Sequence, residues 1–256
     1  MKYGILILFF ALCSCSKTYY ISGKSSVTQA NGKAVSLRSH VDNEWVIRDS
    51  AQIIHGGFVM QGELDSAEIV SIFLDDVLLM PMVLESGRIE ITYTIDGLQV
   101  RGTDLNERLY AFIAKKGEFD KQLAEALRIE NRLILQGYST EEAQATADQQ
   151  AAAVTEKAQQ LTKEFITANY KNLLGPSVFL MVCASSFPYP YLTPDLEAIY
   201  ESAPSLFKEN TKVKKYVEQA YKNIELLKER DRERKDHLNE LQLFPDTIDL
   251  SHIVLP

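Results

Sequence analysis

The first part of the chain, from Tyr19 to about Val100, alternates apolar and polar residues with a period of two. The apolar residues share one parity in three runs: Trp45, Ile47, Ala51 and Ile53; Val70, Ile72 and Leu74; and Ile89, Ile91, Tyr93 and Ile95. This alternation predicts half-buried β-strands, and the Gly and Asp-Gly punctuation between runs, such as Asp96-Gly97, predicts tight turns. We therefore predict an antiparallel β-sandwich over residues 19–103.

Beyond Gly102 the apolar period lengthens to 3.6 residues, which predicts helices. The first stripe consists of Leu105, Leu109, Phe112, Phe119, Leu123 and Leu127. The second follows a capping box at Ser139-x-x-Glu142 and consists of Ala143, Ala147, Ala151, Val154, Ala158, Leu161, Phe165 and Ala168. Because its alanines allow another helix to approach closely, we expect an antiparallel hairpin that packs on itself, in preference to a dimerising coiled coil.

The last third of the chain predicts further helices around a proline-rich connector. Pro176 should open a buried helix that runs through Cys183, and Val213, Val217, Ala220, Ile224 and Leu227 should face inward on the final helix. Between them, Pro188, Pro190 and Pro194 enforce an extended connector, with Thr193 as the next N-cap. The connector is either a stiff link whose tyrosines pack locally, which we favour, or an exposed recognition strip presenting Tyr189 and Tyr191.

The overall fold class is therefore α+β, with an N-terminal antiparallel β-sandwich followed by a C-terminal helical domain. We place the helical domain at residues 104–240 and a C-terminal tail at 241–256.

The N-terminus has the pattern of an export signal. Lys2 precedes an apolar run over residues 4–12, which is too short to cross a bilayer. Leu12-Cys13-Ser14-Cys15 resembles the bacterial lipobox, which implies removal of residues 1–14, lipid on Cys15 and a tether over residues 15–18. Cleavage as an ordinary secretory signal is the alternative. Because no acidic run follows Cys15, we expect a protein anchored in the outer membrane and facing the periplasm.

Composition and motifs limit which partners and activities we expect. A net charge of −8 disfavours nucleic acid as a partner. After processing, Cys183 is the remaining thiol, and its apolar neighbours predict a buried structural cysteine with no disulfide partner. The four histidines are scattered, and Asp75-Asp76 is expected in a strand with its side chains on opposite faces. Without nucleotide-binding, metal-binding or hydrolase motifs, we expect no catalytic, cofactor-binding or metal-binding residues and no enzymatic activity.

Four segments, taken in order, carry a resemblance to a known family: YYISGK, DSAQIIHGGFVMQGEL, LESGRIEITY and VRGTDLNERL. They resemble the N-terminal domain of unknown function 4369 of Bacteroidetes envelope lipoproteins. In relatives a thioredoxin-like domain with a C-x-x-C motif often follows, in proteins described as thiol:disulfide interchange proteins. No C-x-x-C occurs in this sequence, and we expect no thioredoxin-like domain after the helices. The resemblance therefore implies the accessory part alone.

The resemblance also assigns local structure to its motifs. Asp49-Ser50-Ala51 should end a strand, Gly57-Phe58 should begin the next, Gly62 should close it, Glu85-x-Gly87 should form a turn, and Gly102-Thr103-x-x-Asn106 should join sheet to helices. The glycines are then turn residues, Phe58 belongs to the core, and Asp49 and Asn106 make local hydrogen bonds.

These observations predict a lipid-anchored envelope protein that acts as a non-catalytic binding or accessory module. An auxiliary subunit of a periplasmic thiol-disulfide redox system is the alternative, and a hydrolase with a dispersed site is a third. The expected partners are the membrane, through lipid on Cys15, and another envelope protein, in contact with Tyr189 and Tyr191.

Overall fold

The computed structural model describes residues 17–41 and 44–242. Cys13, Cys15 and the tail from residue 243 onward lie outside the described residues, as does the predicted signal peptide. The chain divides into two compact units, one running through Phe165 and the other beginning at Ile166. The strands give way to helices at residues 101–104, where the predicted sandwich ends, and the first unit also contains the first helix and most of the second.

Within the described residues, eight strands form two four-stranded sheets. The strands are β1 (Lys17–Ser25), β2 (Ala34–Val41), β3 (Glu44–Gln52), β4 (Gly57–Leu64), β5 (Glu68–Leu74), β6 (Val77–Leu84), β7 (Gly87–Thr94) and β8 (Gly97–Arg101). One sheet has the order β4-β1-β7-β8 and the other β3-β2-β5-β6. All neighbours are antiparallel except β1 and β7, which run parallel. One apolar core contains residues from both sheets, which confirms the predicted sandwich.

A bulge in β3 overturns part of the predicted alternation. Leu37 pairs with Asp49, whereas the next residue of β2 pairs with Ile47, so Arg48 is an extra residue in β3. The extra residue reverses which parity faces the core. Trp45 and Ile47, predicted to be half-buried, are therefore 44% and 59% exposed on the outer face of the sheet.

Two turns also differ from the prediction. Asp75 and Asp76 connect β5 to β6 as a two-residue turn, with Leu74 pairing with Val77, so they do not lie in a strand. Ile95, expected on the buried parity of β7, occupies the turn before β8 and is 91% exposed. The hairpin predicted around Asp96-Gly97 is confirmed. In both hairpins, residues that the alternation placed in a strand belong to the turn instead.

Two glycines make room for aromatic rings across the β1–β4 pair. Tyr19 lies opposite Gly62, and Gly23 lies opposite Phe58. A Cβ on Gly62 would lie 2.6 Å from the Tyr19 hydroxyl, and one on Gly23 would lie 2.0 Å from the Phe58 ring. The resemblance implied that Gly62 closes β4, but the strand continues past this residue. Gly62 instead leaves room for the Tyr19 ring. Phe58 belongs to the core as expected.

Helix α1 (Asp104–Leu135) covers the edge of β6. The Asn106 side chain accepts from the Val83 N–H at 2.9 Å and donates to the Val83 carbonyl at 2.8 Å, as a paired strand residue would. Pro81 has no N–H, and its carbonyl accepts from the Tyr110 hydroxyl at 3.1 Å. Asn106 also donates to the Thr103 hydroxyl at 2.9 Å, so the predicted local bond is present. The bonds to Val83 add a contact between residues 23 apart in sequence, which the resemblance did not imply.

The two helices of the first unit form a hairpin. Helix α2 (Thr140–Ala168) begins with the predicted capping box, in which the Glu142 N–H donates to the Ser139 hydroxyl and the Glu142 carboxylate accepts from the Ser139 N–H. Phe112 of α1 stacks on Phe165 of α2 with ring centroids 4.3 Å apart. This contact joins the two helices within one chain, as the favoured interpretation of the stripes requires.

The second unit has its own helical core. Its elements are the end of α2, α3 (Leu174–Ser186), α4 (Pro194–Ser202), α5 (Ser205–Lys208) and α6 (Thr211–Gln242). The fully buried side chains include Ile166, Leu174, Phe179, Cys183, Phe207 and Val213. Thr193 caps α4 by accepting from the Leu196 N–H at 3.4 Å, as predicted. No helix among residues 17–41 and 44–242 is both long and apolar enough to cross a membrane.

Candidate functional site

The connector between α3 and α4 holds the predicted contact residues. Tyr189 is 43% exposed, whereas Tyr191 is half-buried. Both tyrosines lie beside Phe187, with ring-centroid distances of 6.2 Å for Tyr189 and 4.5 Å for Tyr191. The structure therefore brings the two predicted residues into one aromatic cluster and leaves Tyr189 as its exposed member.

Helix α6 holds the connector backbone in place. The Tyr216 hydroxyl accepts from the Tyr191 N–H at 3.2 Å and lies 3.3 Å from the Tyr191 carbonyl, to which it can donate. The Asn223 side-chain amide donates to the Pro190 carbonyl at 2.8 Å. Together with the restricted φ of two prolines, these bonds limit how far the backbone beneath Tyr189 can move.

Cys183 is the free cysteine among the described residues, and it is fully buried in α3. Burial raises the pKa of its thiol to about 12, so the thiol is protonated near neutral pH. Thiol exchange requires an accessible thiolate, and Cys183 provides neither accessibility nor charge. The geometry agrees with a structural role for this residue.

The outer face of the β3-β2-β5-β6 sheet carries an aromatic cluster that the sequence did not indicate. The Trp45 ring meets His40 and Phe73 edge to face, with both centroid distances 5.0 Å. The Arg38 guanidinium lies 4.3 Å from the Phe73 ring centroid and pairs with Asp76 at 3.3 Å. Sequence reasoning missed this cluster because it depends on the bulge that turns Trp45 outward.

Polar groups at the edge of the sandwich tie its sheets together. The Tyr19 hydroxyl donates to the Asp49 carboxylate at 2.8 Å across 30 residues of sequence. Burial, reinforced by this bond, raises the pKa of Tyr19 to about 12. Asp49 also accepts from the Ser50 N–H, so the expected local bond exists alongside a long-range one. These groups stabilise the fold and do not converge on an open space.

An open groove of about 520 Å³ runs between α1 and α2. Its lining includes the apolar Phe119 and Leu161 together with side chains of both charges, among them Lys115, Lys157 and Glu156. No group of three metal-ligating side chains occurs in the part of the chain that the structure describes. The groove resembles the surface of a helical pair more than an enclosed ligand site.

Comparison with known proteins identifies the N-terminal domain. Residues 19–109 match the family model of a domain of unknown function, DUF4369. No curated protein and no solved structure gives a significant match to the chain. The matched segment contains all eight strands except the first two residues of β1, and it ends within α1, beyond Asn106. The motifs that carry the resemblance therefore lie within the matched segment, and the match identifies residues 19–109 as a DUF4369 domain.

Proposed function

We propose that this protein is a lipid-anchored component of the cell envelope that acts as a non-catalytic binding or accessory module. The observation that carries the proposal is the exposed Tyr189 ring on a backbone fixed by α6. Because the backbone next to Tyr189 is already ordered, little backbone entropy is lost when a partner covers the ring. Tyrosine is also among the residues enriched at the energetic centres of protein interfaces.

The anchoring part of the proposal rests on the N-terminal sequence. The apolar run and the Leu12-Cys13-Ser14-Cys15 motif favour processing before Cys15 and attachment of lipid to it. Two or more acyl chains anchor a protein durably, whereas one binds only marginally. The body of the protein would then be held at the outer membrane on the periplasmic side, where the accessible partners are other envelope components.

The test of anchoring is metabolic labelling with a fatty-acid analogue. We expect label in the wild type and in Cys13→Ser, and none in Cys15→Ser, which should also retain its signal peptide. Incorporation of label into Cys15→Ser would refute the assignment of the lipid to this residue.

The test of binding is crosslinking in intact cells followed by affinity capture. We expect a specific partner with the wild type and its loss in Tyr189→Ala. Tyr138→Ala is the matched control, because Tyr138 is also an exposed tyrosine, at 54%, but lies at the α1–α2 turn. Thermal melts of both variants should match the wild type. A partner profile unchanged by Tyr189→Ala in a normally folded protein would refute the connector as the binding site.

The identity of the captured partner also separates the accessory roles. A thioredoxin-like protein would make this chain an auxiliary subunit of a redox system, in which the partner supplies the reactive cysteines. Any other envelope protein would favour a general binding role. Because Cys183 is buried and protonated, we expect no thiol-dependent insulin reduction by the purified protein alone. Turnover in that assay would contradict the non-catalytic assignment.

A further inference from the structure

The edge strand β3 exposes a short segment that is complementary to itself. The segment is Glu44-Trp45-Val46-Ile47-Arg48, and among residues 17–41 and 44–242 β3 has a strand neighbour on one side only. If two copies run antiparallel about Val46, Glu44 of each lies opposite Arg48 of the other, and Trp45 lies opposite Ile47. The register therefore aligns opposite charges and apolar side chains at every position.

The backbone of this segment is available for pairing. The Ala34 carbonyl accepts from the Asp75 N–H at 2.7 Å, so even-numbered residues of β2 face β5 and odd-numbered residues face β3. Ser39 pairs with Val46, and its backbone groups therefore face that residue. Since alternate residues of a strand direct their backbone groups to opposite sides, those of Trp45 and Ile47 point to the free edge.

The side chains are also placed for this register. Trp45, Val46 and Ile47 are 44%, 40% and 59% exposed. The Arg48 guanidinium uses Nε for both of its polar contacts with described residues, to the Ser39 hydroxyl at 2.7 Å and the Glu68 carboxylate at 3.1 Å. Its Nη atoms carry further donors for a carboxylate on a second chain.

The same edge is blocked beyond Arg48. The bulge breaks the regular spacing of backbone groups, and the Ser50 N–H is already used by the Asp49 carboxylate at 2.7 Å. Such features end strand pairing, so the free edge has a defined length. The free edge is therefore short, and its sequence is complementary to itself. These two properties favour pairing with an identical strand in one register over binding of an extended peptide of arbitrary sequence.

We propose that β3 pairs with β3 of a second copy of this chain, antiparallel about Val46, to join two four-stranded sheets into one. The contact is isologous, since each copy contributes the same residues. It is small for a stable interface, and attachment of both copies to one membrane would raise their effective concentration. The inference does not depend on what Tyr189 binds.

A disulfide at the symmetry axis tests the register. In the proposed pair, Val46 faces its own copy at a non-hydrogen-bonded position, where Cα atoms are about 4.5 Å apart, a separation that a disulfide can span. We expect mild oxidation of membranes containing full-length Val46→Cys to give about ten times more linked dimer than Val59→Cys. Val59 is the matched control because it is a 52% exposed valine on β4, the edge strand of the other sheet.

A charge change tests the complementarity. Glu44→Lys in the Val46→Cys protein would place a lysine opposite Arg48 in both halves of the contact, and we expect the yield of linked dimer to fall severalfold. An unchanged yield would overturn the proposed register, and so would equal yields from Val46→Cys and Val59→Cys. A disulfide to a different protein at position 46 would show another occupant and overturn the self-pairing.

Sedimentation of the full-length protein in detergent provides an independent measurement. The wild type should show a dimer fraction that increases with concentration, and Val46→Lys should remain monomeric because two lysines would face each other at the axis. A wild type that stays monomeric at every concentration, together with no disulfide at position 46, would refute the inference. Capture of a partner through Tyr189 should be unaffected by Val46→Lys. A failure of β3 self-pairing can therefore be distinguished from a failure of the proposed binding function.

Discussion

The edge of β6 and the connector before α4 are two proline-containing segments that are held in the same way. In each, an asparagine and a tyrosine from a neighbouring helix bond to the backbone. At β6, Asn106 and Tyr110 of α1 bind Val83 and Pro81. At the connector, Tyr216 and Asn223 of α6 bind Tyr191 and Pro190.

The two segments differ in burial and in what they present. Asn106 is fully buried and makes two bonds to one residue, and burial raises the pKa of the Tyr110 hydroxyl. The connector bonds are only partly buried, and the adjacent Tyr189 is 43% exposed. The same arrangement of an asparagine and a tyrosine on a helix therefore occurs in two settings. At β6 it covers a sheet edge and stabilises the fold, whereas at the connector it orders the backbone beside an exposed tyrosine, where we propose a role in recognition.

The largest expected effect comes from removing the buried amide. Asn106→Ala leaves both the N–H and the carbonyl of Val83 without a partner in a buried site, and we expect the free energy of unfolding to fall by about 3 kcal/mol. Urea denaturation of the full chain measures this loss. Asn223→Ala is the matched control at the connector, where we expect a loss of about 1 kcal/mol because one partly buried bond is broken. Equal losses would contradict the distinction between the two segments.

The next effect concerns the hydroxyl groups. Tyr110→Phe removes the partly buried bond to the Pro81 carbonyl, and we expect a loss of about 1.5 kcal/mol. Tyr216→Phe should cost less in stability, but it should speed amide hydrogen exchange at Tyr191, whose N–H loses its acceptor. Hydrogen exchange with mass spectrometry measures this change. Unchanged exchange at Tyr191 would mean that Tyr216 does not hold the connector.

The smallest effect at neutral pH should come from Cys183→Ala, which we expect to change stability by about 1 kcal/mol or less. The contribution of the Cys183 thiol to stability should become visible at alkaline pH. Because burial raises the pKa of the thiol from 9.0 to about 12, the folded protein holds this proton more tightly than the unfolded chain does. That contribution is complete below pH 9 and disappears as the pH rises toward 12.

Denaturation between pH 8 and 11 tests this pH dependence. Wild-type stability should fall more steeply in that interval than the stability of Cys183→Ala, which lacks the titrating group. Parallel curves would contradict the assignment of a buried, protonated thiol. Tyr19→Phe offers a second comparison, since its pKa is also raised to about 12 and it should flatten the curve above pH 10.

The sequence predicted those features that depend on neighbouring residues. The capping box at Ser139 and the Thr193 cap follow from spacings of three residues, and the structure has both of them. The first helical stripe is only partly right, because Leu109 and Phe112 are buried whereas Leu127 is 64% exposed. The order of strands and helices was also predictable, because each change of period occurs within a short stretch of chain.

The features that escaped prediction depend on distant partners. The role of Asn106 requires Val83 to lie beside it, and the outward position of Trp45 requires a bulge that only the pairing with β2 reveals. The prolines predicted an extended connector, but the choice of Tyr189 as the exposed tyrosine is made by bonds from α6 to the backbone of its neighbours. Single-residue periodicity cannot encode such contacts.

The most direct test of the proposed binding role is a photo-crosslinking amino acid placed at position 189 in intact cells, with position 138 as the control. Both sites are exposed tyrosines, and neither substitution should disturb folding. We predict one discrete crosslinked product from position 189 that is absent from position 138. No product at position 189, or the same products from both positions, would contradict the proposal that the connector is the recognition surface.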